Sequence, residues 1–114
     1  MTNTNYTTDD ILNKDINKDI KNITEIIREK YKPEKIILFG SRAKGSAKKR
    51  SDIDLLVIKK TNKKILERQR EIANLLKYPI PSDIIVLTPK EFNKAKKKPN
   101  YFMREVLNYG KVIF

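Results

Sequence analysis

The chain has no cysteine and no histidine in its 114 residues. Without cysteine there are no disulfides, no thiolate metal sites and no thiol nucleophile. Without histidine a Ser-His-Asp relay cannot be built, and the usual zinc sites are out of reach. Any metal must therefore be held by oxygen, which favours magnesium, manganese or calcium. No apolar run approaches the roughly twenty residues needed to span a bilayer. The first residues, Met1-Thr-Asn-Thr-Asn-Tyr6, lack the cationic start and apolar segment of a signal peptide, so the expected location is the cytoplasm and no membrane partner is expected.

What is abundant is charge. Hydrophobic residues make up 39% of the chain and charged residues 35%, a balance that suits one small globular domain with a single core rather than a disordered chain. The formal net charge is +12. Lysine and arginine balance aspartate and glutamate up to Lys32, so the excess lies beyond it. Such a field attracts phosphate-bearing partners: a nucleotide, RNA or an acidic protein face.

The periodicities predict an α/β (α+β) domain with a small mixed sheet flanked by helices. Residues 1–8 are expected to fray and residues 9–114 to form the single domain. Leu12, Ile16, Ile20, Ile23, Ile27 and Tyr31 recur at steps of four and three, one stripe of a helix that Pro33 stops. Lys35-Ile-Ile-Leu-Phe39 reads as a buried strand closed by Gly40, and residues 41–48 as a turn passing into a short helix. Residues 52–58 read as the second strand. A second amphipathic helix is predicted over 63–77, with Ile65, Ile72, Leu75 and Leu76 on one side, ended by Tyr78-Pro-Ile-Pro81. Residues 83–87 form the third strand. Thr88-Pro-Lys-Glu91 combines an N-cap threonine, a proline at the first helical position and a glutamate three residues after the cap. A last helix over 101–109 is expected to be capped by Gly110, with residues 111–114 as a closing strand.

The chemistry gathers between Gly40 and Val57, in Gly-Ser-Arg-Ala-Lys-Gly-Ser-Ala-Lys-Lys-Arg-Ser-Asp-Ile-Asp-Leu-Leu-Val. Asp52 and Asp54 lie two apart on a predicted strand and so share a face, where they repel each other unless a cation sits between them. A divalent metal with oxygen ligands meets that need. Asp83, after Ser82, opens the next strand. If the two strands are neighbours it completes a three-carboxylate cluster of the kind that holds two metals for phosphoryl or nucleotidyl transfer. Read alone, an aspartate after a proline can also merely cap a turn.

Gly40 lets the backbone turn sharply, and Ser41 begins a helix whose free N–H groups can receive a phosphate. Arg42 and Lys44 can add charge to that cradle or can be solvated surface. Gly40 and Gly45 match the opening of a P-loop, but Ser46 and Ala47 stand where that motif needs lysine and Ser/Thr, so the P-loop is excluded. The lysines between Lys94 and Lys98 read as a solvated face, and the five tyrosines as packing or interface residues.

Gly40-Ser41, Gly45 and Ser51-Asp-Ile-Asp-Leu-Leu-Val57 resemble the active-site signature of the polymerase-beta-type nucleotidyltransferase superfamily, in which a Gly-Ser turn is followed at this spacing by Asp-x-Asp. The size and the single late Asp83 resemble its smallest branch, the minimal nucleotidyltransferase antitoxins. The resemblance covers nearly the whole chain. It implies the polymerase-beta-like fold, with Asp52, Asp54 and Asp83 as metal ligands for Mg²⁺, in a two-metal site, and Asp83 as a possible base. It implies that Gly40 and Ser41 hold a nucleoside triphosphate, ATP. The implied function is transfer of AMP from ATP to a hydroxyl, such as a tyrosine, of a small helical HEPN-type toxin. A non-catalytic antitoxin that masks its toxin, and RNA-end modification, are the alternatives. Lys48-Lys49-Arg50 departs from relatives that often carry acidic, proline or glycine residues there.

Overall fold

The computed structural model describes residues 8–45, 52–76 and 80–114, with side chains from Ile16 onward. The expected fraying of the first residues, the Lys48-Lys49-Arg50 run and Tyr78 fall outside these ranges. The order is α1 (Thr8–Ile26), a π-helical turn (Ile27–Tyr31), β1 (Lys35–Phe39), α2 (Gly40–Lys44), β2 (Ile53–Ile58), α3 (Ile65–Leu75), β3 (Ser82–Leu87), α4 (Pro89–Lys97), α5 (Tyr101–Tyr109) and β4 (Lys111–Val112). The four strands form one mixed sheet, ordered β3-β2-β1-β4. β1 is antiparallel to both β2 and β4, whereas β2 and β3 run parallel across the α3 crossover. No helix among the described residues is long and apolar enough to cross a membrane.

Helices cover both faces of this sheet, so its central strands read as nearly unbroken apolar runs rather than alternating ones. Alternate side chains serve different layers. Ile36, Leu38, Ile53, Leu55, Val57 and Val86 pack with Ile23, Ile27, Tyr31 and Ile72 from α1, the π-helical turn and α3. Ile37, Phe39, Leu56 and Ile58 pack with Met103 and Val106 of α5 and with Phe92 of α4. By the same alternation Asp54 and Asp83 belong to the second layer, at the end of the sheet where β1 finishes and β2 and β3 begin.

Three local features differ from the sequence expectation. On α3, Ile65 is 50% exposed and Arg68 is buried in the helix-packing stripe instead. Ile65 is the first residue of the helix and overhangs the edge of the core. The Arg68 guanidinium finds partners that a buried charge requires: Val86 O at 3.1 Å, Lys63 O at 2.7 Å and Glu91 Oε1 at 2.7 Å. Glu91 also closes the capping box at the start of α4, accepting from Thr88 N at 2.8 Å while Thr88 Oγ1 accepts from Glu91 N at 3.1 Å. One carboxylate thus ties α3, β3 and α4 together.

Gly110 caps α5 as expected, donating its N–H to Val106 O, but its φ of −61° is a second point of detail, since it is not left-handed. Glycine is needed because an added Cβ would lie 2.3 Å from Val106 O and 2.8 Å from Ile37 Cγ2, so the chain passes too close for a side chain. The closing strand is the third, with only Lys111–Val112 assigned to β4. The chain end still bonds to β1, Ile36 N donating to Phe114 O at 2.9 Å.

Candidate active site

The site is assembled by strand register. β1 ends at Phe39, which pairs with Asp54 of β2, and Asp54 pairs in turn with Asp83 of β3. The Gly40 turn and the two carboxylates therefore occupy adjacent positions across three strands. Gly40 has φ +73°, a conformation that glycine adopts without strain. A Cβ at Gly40 would lie 2.2 Å from Asp54 Oδ2, so the bare glycine leaves the Asp54 carboxylate uncovered beside the turn. α2 starts directly at Gly40 and lasts five residues, ending at Gly45 with φ +77°. The expected turn and helix over 41–48 are thus seen as far as Gly45, and residues 46–51 lie outside the described residues.

Asp54 is the electrostatic centre. It is half-buried, while Asp52 and Asp83 are exposed. Its pKa is raised from 3.8 to about 6, first by burial and then by the charges of Asp83 and Asp52. Desolvation and like charge both favour the protonated form of Asp54. No group of three or more acidic side chains among the described residues is close enough to hold a metal ion unaided. The arrangement is an open carboxylate site. That fits Mg²⁺, which is commonly held by one or two carboxylates with substrate phosphates and waters completing the shell. Ser82 Oγ donates to Ile80 O at 3.1 Å and fixes the chain just before Asp83.

The cations of α2 are placed differently from one another. Arg42 is half-buried and interacts within the fold. Lys44 turns to α5, where its ammonium lies 2.8 Å from Glu105 and 4.6 Å from the centre of the Tyr109 ring. Tyr101 donates its hydroxyl to Glu105 at 2.9 Å. The bond between Lys44 and Glu105 raises the Lys44 pKa and, before that from Tyr101, lowers that of Glu105. Phe39 and Phe102 meet edge to face at 5.1 Å, a further tie between the turn and α5. The sequence reading did not connect Glu105 with this site. Its only local signal was the spacing of Tyr101, Glu105 and Tyr109, which puts them on one side of α5.

Gly40, Asp52, Asp54 and Asp83 thus come together with Ser41 on the adjoining helix, whereas Lys44 is engaged elsewhere. A glycine-serine turn thus stands beside carboxylates where β1 ends and the parallel strands β2 and β3 begin.

Residues 21–114 match the polymerase beta nucleotidyltransferase family, and the chain belongs to it. It is 35% identical over 90 residues to MJ0141 of Methanocaldococcus jannaschii, covering 79% of this chain and 86% of the relative. It is 36% identical over 101 residues to MJ0604 of the same organism, covering 85% and 96%. Both relatives carry the name protein adenylyltransferase as a provisional assignment. Among solved structures, a protein assigned as a nucleotidyltransferase from Sulfolobus solfataricus superposes with a TM-score of 0.67 at 22% identity, over 98% of this chain and 92% of that one. A mutant of the MntA–HpeT toxin–antitoxin pair superposes with a TM-score of 0.54 at 24% identity, over 83% and 71%. A toxin–antitoxin structure with AMP-PNP superposes equally well, at 22% identity over 82% and 71%. These structural likenesses bear on the fold.

Proposed function

We propose that this chain is a Mg²⁺-dependent, cytoplasmic adenylyltransferase that moves AMP from ATP to a hydroxyl of a partner protein, the toxin of a toxin–antitoxin pair. The observation that carries the reading is Asp54, set between the Gly40 turn and Asp83, with a pKa raised to about 6. The names of the two M. jannaschii relatives support a protein acceptor, and the toxin–antitoxin neighbours support a toxin. A HEPN-type toxin and a tyrosine acceptor are the finer expectations.

In this reading Asp52, Asp54 and Asp83 hold the metal. When bound, Mg²⁺ supplies positive charge to the phosphate oxygens and lowers the pKa of the acceptor hydroxyl. Gly40 leaves room for the triphosphate beside Asp54, and Ser41 offers its hydroxyl and backbone N–H. Arg42 offsets phosphate charge, and Lys44 joins it by leaving Glu105. Asp83, an exposed carboxylate, accepts the proton of the acceptor hydroxyl. The hydroxyl oxygen then bonds to the α-phosphorus, and the bond to the β-phosphate oxygen breaks and releases pyrophosphate.

The test is transfer of label from α-labelled ATP to the cognate partner. Transfer is expected with Mg²⁺ and lost in the Asp52→Asn, Asp54→Asn double variant; no transfer with Mg²⁺ or Mn²⁺ counts against the reading. A second reading, an antitoxin that masks its toxin without chemistry, draws on the open carboxylate cluster and on the Lys44–Glu105 pair. Full neutralisation of the toxin by the double variant in cells would favour it.

A further inference from the structure

We propose that the outer ridge of α4 is a docking track for the phosphate backbone of a nucleic-acid strand, separate from the carboxylate site. α4 seats Phe92 and Ala95 against the second core layer. On the opposite side, one helical ridge carries Lys90, Lys94 and Lys97, with Lys98 just past the helix end. All four are exposed. Among the described residues, none of the ion pairs includes them. The neighbouring cations differ. Lys96 lies 4.7 Å over the Phe92 ring, and Arg104 donates to Pro99 O at 3.2 Å.

Helix stability does not account for the ridge. Lys94 and Lys97, in the last turn, suit the helix dipole, but Lys90, in the first turn, opposes it. Lysines four residues apart also repel each other by a few tenths of a kcal/mol. A polyanion lying along the ridge relieves both effects. The helical rise sets Lys90 and Lys94 about 6 Å apart along the axis and Lys94 and Lys97 about 4.5 Å apart, a run of point charges suited to a phosphate backbone.

The composition of the ridge favours a nucleic-acid strand over an acidic protein. Protein interfaces depend on buried aromatic or arginine anchors. This ridge offers only lysines and Asn93, whereas phosphate binding by counterion release needs no apolar anchor.

The test uses the full chain with a fluorescein-labelled single-stranded RNA oligomer, read by anisotropy across a salt series. With four lysines on phosphate, log K is expected to fall with log salt at a slope of about −3. The Lys90→Gln, Lys94→Gln, Lys97→Gln variant should flatten that slope by about 2 and weaken binding on the order of a hundredfold at 0.1 M salt. The Lys18→Gln, Lys21→Gln, Lys30→Gln variant removes the same charge from the exposed side of α1 and its continuation, and should retain most of the affinity. Equal losses in both variants would reduce the effect to net charge and overturn the proposal. So would absent or salt-insensitive RNA binding, or labelled polyglutamate binding as tightly as RNA. Adenylyl transfer should be unchanged in the α4 variant, so its failure would leave the nucleotidyl-transfer reading intact.

Discussion

The two ends of the sheet handle charge in opposite ways. Where β2 and β3 begin, burial and then the like charges of Asp83 and Asp52 raise the Asp54 pKa to about 6. Where β2 and β3 finish, unlike charges are matched. Arg68 is clamped by Glu91 and two carbonyls, the Glu91 pKa falls, and the Lys59 ammonium donates to Tyr31 O. The matched end holds helices to the sheet. The like-charged end keeps an electrostatic strain at Asp54 that a cationic ligand can relieve, which distinguishes a site from a staple.

Substitutions at the two ends should separate these roles. The largest effect is expected from Asp54→Asn, which should lower label transfer by roughly a thousandfold while thermal stability holds or rises. Loss of folding instead of activity would make Asp54 a structural residue and erase the contrast. Next is Arg68→Ala, expected to cost about 3 kcal/mol in denaturant unfolding because it strands buried acceptors and the Glu91 partner. Transfer per folded molecule should survive it. Gly40→Ala should come third, at about 1–2 kcal/mol for an L-residue held at φ +73°, with weaker nucleotide binding because the methyl crowds Asp54. Unchanged nucleotide affinity in that variant would separate the turn from the nucleotide site.

The smallest effect is a pH dependence in chelator-treated protein. The folded state holds the Asp54 proton more tightly than the unfolded chain does, so between pH 3.8 and about 6 it binds more protons. Stability should therefore fall as pH rises through that window. The side chain is partly solvated, so the loss should be screened to about 1 kcal/mol. Melting temperature against pH should show a drop in the native protein that is absent in Asp54→Asn.

Features with a local cause were legible in the sequence. Lys35–Phe39 and 53–58 stand out because a doubly covered sheet needs apolar residues on both faces, and the Thr88–Glu91 box is complete within one helical turn. Asp83 could be paired with Asp54 conditionally, because the condition was strand adjacency, which the sheet order meets. Features with distant causes were not legible. Arg68 reads as a solvent-facing residue until Glu91 and Val86 O are brought to it. Gly110 reads as the helix cap it is, but its second role is hidden because its steric partner, Ile37, lies far away in sequence. Lys44 reads equally as a phosphate contact or as solvated surface, because nothing nearby in the chain announces Glu105. The π-helical turn before Lys32 likewise follows from packing, since Ile27 and Tyr31 are both buried.

The parallel pairing of β2 with β3 also bears on when the site can exist. β1 and β2 form a local antiparallel pair, but Asp83 reaches Asp54 only after the whole α3 crossover has closed. Closing such a loop is among the slower acts of folding, because its entropy is lost before the strand contacts repay it. During synthesis the Gly40 turn and the first two aspartates emerge without their third carboxylate. A nascent chain would then have the turn and Asp54 before it had a complete site, and chemical competence would arrive late, together with the finished sheet.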